Sequence, residues 1–144
     1  MKISVASDHA GYELKEIIIK WLKEKGYEVT DEGPFSVGSV DYPDYAHKTA
    51  SKVNGGECER GIVICGSGNG VSMTANKYIN VRAALCWNEE IVTLARQHND
   101  ANILGLPARF ISAEEALKMT ELFFTVPFEG GRHQTRIEKI KKKL

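Results

Sequence analysis

The sequence carries no excess of either charge: 19 Lys and Arg stand against 19 Asp and Glu. A chain so balanced has no global field to draw it onto nucleic acid or an anionic membrane. No apolar run approaches the roughly 20 residues that a membrane span needs. Residues 1–11 do not read as a signal peptide either, because Ser7, Asp8 and His9 interrupt a short apolar run. Cysteine is scarce. Cys58, Cys65 and Cys86 are odd in number and lack C-x-x-C spacing, which argues against a disulfide framework. No His, Asp and Glu cluster at ligand spacing accompanies them, so no metal is expected. A reduced, cytoplasmic setting follows. Repeats, low-complexity segments and linkers are also missing, so residues 1–144 are expected to form one domain around one core. The one local charge bias, Lys139, Lys141, Lys142 and Lys143, reads as the solvated end of a helix, where cations suit the helix dipole.

What is present alternates between short apolar runs and amphipathic segments. Residues 2–7 read as a buried strand. Leu14, Ile17, Ile18, Trp21 and Leu22 recur at spacings of three and four, which is one face of a helix. Gly26 is a natural stop for it. A second strand over 27–30 precedes a turn-rich stretch to residue 43 and a helix over 43–53. Residues 61–65 are apolar throughout, as a strand covered on both faces should be. A helix is expected over 71–78 and a fourth strand over 81–86. Asn88 can cap the next helix, and 103–106 make a fifth strand. Ser112 and Glu115 have capping-box spacing, opening a helix to about residue 124. Pro127 breaks it, and a last basic helix follows Gly130 and Gly131. Strand and helix alternating through one small domain predict the α/β class: a three-layer α/β/α sandwich around a five-stranded, Rossmann-like parallel sheet. Ligands of such sheets bind beyond the carboxyl ends of the strands. Asp8, His9, residues 65–70, Trp87 and Arg109 are therefore the candidates.

Residues 65–70 read Cys-Gly-Ser-Gly-Asn-Gly. Alternating glycines after a buried strand let the backbone turn sharply and approach a ligand, and their amides suit negative charge. The spacing is not that of a dinucleotide fingerprint, and no Gly-Lys-Ser/Thr follows to make a P-loop. The loop is not a C-x5-R phosphatase loop either, because Val71 holds the arginine position. Cys65 at such a loop is either a small buried hydrophobe or a reactive thiol. His98 continues the face of Ile91, Leu94 and Ala95, and it precedes Asn99 and Asp100 at a helix end, which favours a cleft. Asp8 either caps the first helix or binds a ligand. Arg132 and Arg136, four apart, share a helix face and with Arg109 or His9 could clamp a phosphate. Read alone, they are equally solvated arginines.

Together these residues resemble the type B ribose-5-phosphate isomerases, which group with the galactose-6-phosphate isomerase subunits. The motifs are Ser7-Asp8-His9-Ala10-Gly11, Asp41-Tyr42-Pro43, Cys65-Gly66-Ser67-Gly68-Asn69-Gly70, Arg96-Gln97-His98-Asn99-Asp100 and the run from Gly130 through Arg132 to Arg136. They span the chain in order. The resemblance implies interconversion of ribose 5-phosphate and ribulose 5-phosphate in the non-oxidative pentose phosphate pathway. It makes Cys65 the base that moves a proton between C2 and C1 of a cis-enediolate. It makes His98 the acid that opens the furanose, and gives Ser67, where many members have threonine, a part in that proton movement. The amides of Gly66, Ser67, Gly68, Asn69 and Gly70 would hold the enediolate. Asp8, Tyr42 and Asn99 would bind the sugar, and His9, Arg109, Arg132 and Arg136 the phosphate. No cofactor is implied. The partners implied are a sugar phosphate and a second copy of the chain, met through the C-terminal helix, in a homodimer or homotetramer with shared sites. The nearest alternative is an isomerase of allose or galactose 6-phosphate. A non-enzymatic nucleotide-binding α/β module or a thiol redox protein would need motifs the chain lacks.

Overall fold

The computed structural model describes residues 1–141. Five strands, β1 (Lys2–Ser7), β2 (Glu28–Asp31), β3 (Arg60–Cys65), β4 (Ala83–Leu85) and β5 (Ile103–Pro107), form one parallel sheet in the order β2-β1-β3-β5-β4. Between and after them lie α1 (Tyr12–Glu24), α2 (Tyr42–Asn54), α3 (Asn69–Ala75), α4 (Glu89–Asn99), α5 (Ala113–Thr125) and α6 (Arg132–Ile140). Among the described residues no helix is long and apolar enough to cross a membrane.

Strand alternation divides the core in two. Ile62, Ile64, Leu104 and Leu106 point to the face covered by α1, α4 and α5, where Ile18, Leu22, Val92, Met119 and Phe123 meet them. Val63, Cys65 and Ile103 point to the other face, against Ala46 and Ala50 of α2 and Val71 and Ala75 of α3. Crossovers that move toward β4 (β2 to β3, β3 to β4) carry their helices on the second face. Those that move toward β2 (β1 to β2, β4 to β5) carry them on the first. That assignment is what a single handedness of crossover demands. The chain therefore winds in opposite senses from β1 and from β3, leaving a crevice at their carboxyl ends.

Two elements differ from the sequence reading by more than one residue at an end. The third helix ends at Ala75 rather than 78, and the fourth strand is Ala83–Leu85 rather than 81–86. One side chain accounts for both. Asn76 donates to the Ala83 carbonyl at 2.9 Å and accepts from the Ala83 amide at 2.8 Å. An asparagine that satisfies backbone groups elsewhere gives up the helix. The Val81 amide instead donates to the Tyr78 carbonyl at 3.1 Å, and Arg82 is drawn to Asn102, whose Oδ1 accepts from the Arg82 amide at 2.8 Å.

Candidate active site

β3 delivers Cys65 to the crevice, and the loop behind it is held from two sides. The Ala108 amide donates to the Cys65 carbonyl at 2.9 Å and the Arg109 amide to the Gly66 carbonyl at 3.0 Å, so the chain leaving β5 is stitched to the chain leaving β3. Within the loop, the Gly68 amide donates to Cys65 Sγ at 3.2 Å. That contact points a backbone donor at the sulfur. Gly68 has φ 77°, and a Cβ there would collide with Leu85 and Leu106, so only glycine closes this turn. The Asn69 amide donates to Ser67 Oγ at 3.2 Å. Of the amides over 66–70, those of Gly68 and Asn69 are thus turned to Cys65 and Ser67.

Around the thiol stand the other residues that follow strands. Asp8 is buried after β1. Its amide donates to the Ile64 carbonyl at 3.1 Å and its Oδ1 accepts from the Gly11 amide at 3.0 Å. The carboxylate therefore secures the turn ahead of α1, but the helix cap is Gly11 and no side chain caps it, so Asp8 is not the N-cap. His9 Nδ1 accepts from the Val40 amide at 3.2 Å. A neutral imidazole accepting at Nδ1 carries its proton on Nε2, so Nε2 is the donor free to meet a ligand oxygen. Tyr42, first residue of α2, lays its ring where a Cβ on Gly70 would be. The Arg109 side chain covers Gly66, its Nη1 3.0 Å from where a Cβ would stand. Beside the loop runs an open crevice of about 400 Å³ lined by Ser67, Asn69, Leu85, Trp87, Pro107 and Phe110.

His98, Asn99, Arg132 and Arg136 are not at this edge. α4 leaves the carboxyl edge at Asn88 and returns to the amino end of β5, so its last residues lie below the sheet's other edge. Eleven helical residues, or the five of β5, separate the two edges by about 15 Å. α6 packs on this end of α4. His133 stacks on His98 with ring centroids 4.2 Å apart and an interplanar angle of 11°. Arg132 and Arg136 are exposed on α6. A second crevice, about 410 Å³, opens nearby, with Asn99, Tyr78, Ile79, Arg82 and Ile140 in its walls.

The fold also assembles what sequence spacing did not display. Glu129 Oε1 lies 3.7 Å from His98 Nε2 and 3.6 Å from His133 Nε2, and the three side chains offer donor atoms within 4.8 Å of one another. The reading that no His/Asp/Glu cluster exists is corrected on this point. Two segments 31 residues apart meet only because α6 docks on α4, and no local spacing encodes that docking. Burial and the neighbouring His98 push the His133 imidazole below its ordinary pKa, and Glu129 opposes them. Phe110 and Val40 were also missed. Phe110 resembles any exposed aromatic, and Val40 acts through its backbone alone.

With this geometry in hand, comparison with known proteins is decisive. Residues 3–140 match the Ribose/Galactose Isomerase family. The chain belongs to that family. Among its members, the ribose-5-phosphate isomerase B of Escherichia coli (strain K12) is 43% identical over 139 residues, covering 96% of this chain and 93% of the relative. The solved structure of the Clostridium thermocellum ribose-5-phosphate isomerase B superposes with a TM-score of 0.97 at 50% identity, covering 98% of this chain and 95% of that one. The Mycoplasma genitalium family member, solved with ribulose 5-phosphate bound, gives a TM-score of 0.95 at 47% identity, covering 97% and 93%. The family fold is the five-stranded parallel sheet described above.

Proposed function

We propose that this chain interconverts ribose 5-phosphate and ribulose 5-phosphate, with Cys65 as the base. The observation that carries the reading is the thiol at the β1/β3 crevice, its sulfur accepting the Gly68 amide at 3.2 Å beside a histidine and an arginine suited to a phosphate. Moving a hydrogen between adjacent carbons takes one base, stabilisation of an enediolate and fixation of the phosphate. The Cys65 thiolate takes the proton from C2 and returns it to C1. A positioned base contributes about 10²–10⁴-fold. Loop amides hold the enediolate oxygens, each good donor adding roughly 10²–10³-fold. The Nε2 proton of His9 and the guanidinium of Arg109 take the phosphate, whose binding fixes the reacting carbons. Asp8 and Tyr42 face the sugar, and Ser67 assists proton movement.

The closed furanose has no carbonyl to acidify its neighbour, so it must first be opened by an acid. His98 has the right chemistry but stands at the opposite edge of the sheet from Cys65 in the same chain, at least the length of β5, about 15 Å, away. We assign it, with Asn99, Arg132 and Arg136, to the site of a second copy. The family's motifs then form two half-sites on one chain, completed by dimerisation, and a tetramer would pair such dimers. The half-buried edge strand β4 and the exposed, apolar Ile79 and Ile140 beside the second crevice suit such a partner. Three free thiols, all buried, suit a reduced, cytoplasmic setting.

The test is turnover of ribose 5-phosphate, allose 6-phosphate and galactose 6-phosphate by the purified chain. Ribose 5-phosphate should be processed most efficiently, and Cys65→Ala should lose at least about 10²-fold in kcat. A higher kcat/KM on either six-carbon substrate would reject the substrate, and Cys65→Ala at near wild-type rate would reject the base.

A further inference from the structure

Glu129 has no part in the isomerisation above, yet it is held in place. Its amide donates to the carbonyl of Gln97 at 3.1 Å, one residue before His98. The His133 amide donates to the Gly130 carbonyl at 3.1 Å, closing the turn into α6. Gly130 and Gly131 take φ of 69° and 58°, a left-handed bend that brings Glu129 back over His133. One carboxylate oxygen thereby faces the Nε2 atoms of two imidazoles.

The distances distinguish this cluster from a hydrogen-bonded ion pair. An N–H···O bond would bring Nε2 to about 2.7–3.2 Å from the oxygen, but the two separations are 3.7 and 3.6 Å. A tetrahedral zinc with ligands at about 2.0–2.2 Å sets its donors about 3.3–3.6 Å apart. The His133 spacing of 3.6 Å is at the upper edge of that range, the His98 spacing of 3.7 Å is just beyond it, and all three donors lie within 4.8 Å of one another, so the cluster must draw in slightly around an ion. The stacked rings must open, because an ion shared by two imidazoles lies near both ring planes. Each ring needs only to turn about its Cβ–Cγ bond, which is a soft torsion. Arg132 and Arg136, on the same helix as His133, weaken the attraction for a cation.

We propose that His98, Glu129 and His133 bind one zinc-class divalent ion through two Nε2 atoms and a carboxylate oxygen, with a further position open. The ion ties up the His98 imidazole assigned above to open the furanose, so it inhibits the isomerase reversibly. The inhibition rests on the function proposed above; the binding does not.

The experiment uses the full-length, metal-free chain. Zinc is titrated by calorimetry, and cobalt(II) by visible absorption, into the wild type, Glu129→Gln, His133→Asn and Cys65→Ser. One ion per chain is expected in the wild type and in Cys65→Ser, with the strong cobalt bands of a site below six-coordination. Binding should weaken at least about tenfold in Glu129→Gln and His133→Asn, since even an outer partner of a metal site is worth about 10–100-fold. Unchanged binding in both variants overturns the site. So does loss of binding in Cys65→Ser, which would put the ion on the thiol. Turnover is read separately: zinc should inhibit the wild type, a chelator should restore it, and Glu129→Gln should need at least about tenfold more zinc. A chain that takes zinc but turns over no sugar phosphate sinks the proposed function and leaves the site standing. One that turns over and takes no zinc does the reverse.

Discussion

Cys58, Cys65 and Cys86 are all buried, yet their surroundings treat them differently. Burial pushes the Cys86 thiol up to about 12 and raises Cys58 as well, so both stay neutral and inert at physiological pH. Cys65 alone has a backbone amide aimed at its sulfur. Alkylation of the folded chain with iodoacetamide near pH 8 should therefore modify Cys65 first, with activity falling in step. Peptide mass spectrometry reads the site, and equal labelling of Cys86 would refute the assignment. His98→Asn should slow turnover of closed ribose 5-phosphate more than deprotonation of the open-chain form. Equal losses on the two would remove its ring-opening role. At this scale much was legible. The glycine loop is a local feature, since the Gly68 turn needs φ 77° and its identity is written at that position. The roles of Val40 and Glu129 were not legible, because one acts through an amide and the other through a residue it meets only after docking.

Among the elements, α5 was the most readable. Ser112 Oγ accepts from the Glu115 amide at 3.1 Å and Glu115 Oε1 from the Ser112 amide at 2.9 Å, the capping box that the spacing predicts. Ser112→Ala should cost about 1 kcal/mol in urea unfolding at neutral pH. The Ser112 amide and hydroxyl hold the Glu115 carboxyl below its ordinary pKa. A depressed carboxyl contributes its stability above the unfolded value and loses it as pH falls through the folded one. The gap between wild type and Ser112→Ala should therefore narrow in acid, and a gap constant with pH would contradict the carboxylate's part. The turn-rich stretch after β2 is held differently. Fully buried Lys15 of α1 bonds both Asp31 oxygens at 2.9 Å, and Asp31 Oδ1 accepts from the Gly33 amide at 2.9 Å. This anchors the segment that brings Val40 to His9. Either substitution breaks the pair, but Asp31→Ala strands a fully buried ammonium, whereas Lys15→Met strands a carboxylate that is 25% exposed to water. Asp31→Ala should destabilise by about 3 kcal/mol and raise KM for the sugar phosphate, whereas Lys15→Met should cost less. The sequence marked 31–43 as turns but not as a support for His9, since that depends on a lysine from another layer.

The whole molecule sets the strongest test of the shared site. In mixed dimers of Cys65→Ala and His98→Asn chains, one site carries both defects and the other carries neither. Random exchange of the two inactive chains should thus recover about one quarter of wild-type activity, as a two-fold symmetric interface requires. No recovery would mean that each chain builds its site alone. Sequence periodicity by itself determined the layers, the parallel sheet and the loop at Cys65, because apolar alternation, capping residues and glycine turns act within a few residues of where they are written. Strand order was decided only by the tertiary structure. The sheet runs β2-β1-β3-β5-β4, and α4 carries His98 to the edge opposite Cys65. Which edge a helix end reaches depends on the direction of every crossover before it, a property of the packed chain and not of any segment. The same packing brings Glu129 and His133 to His98 and leaves the two halves of the proposed site on opposite edges of one chain.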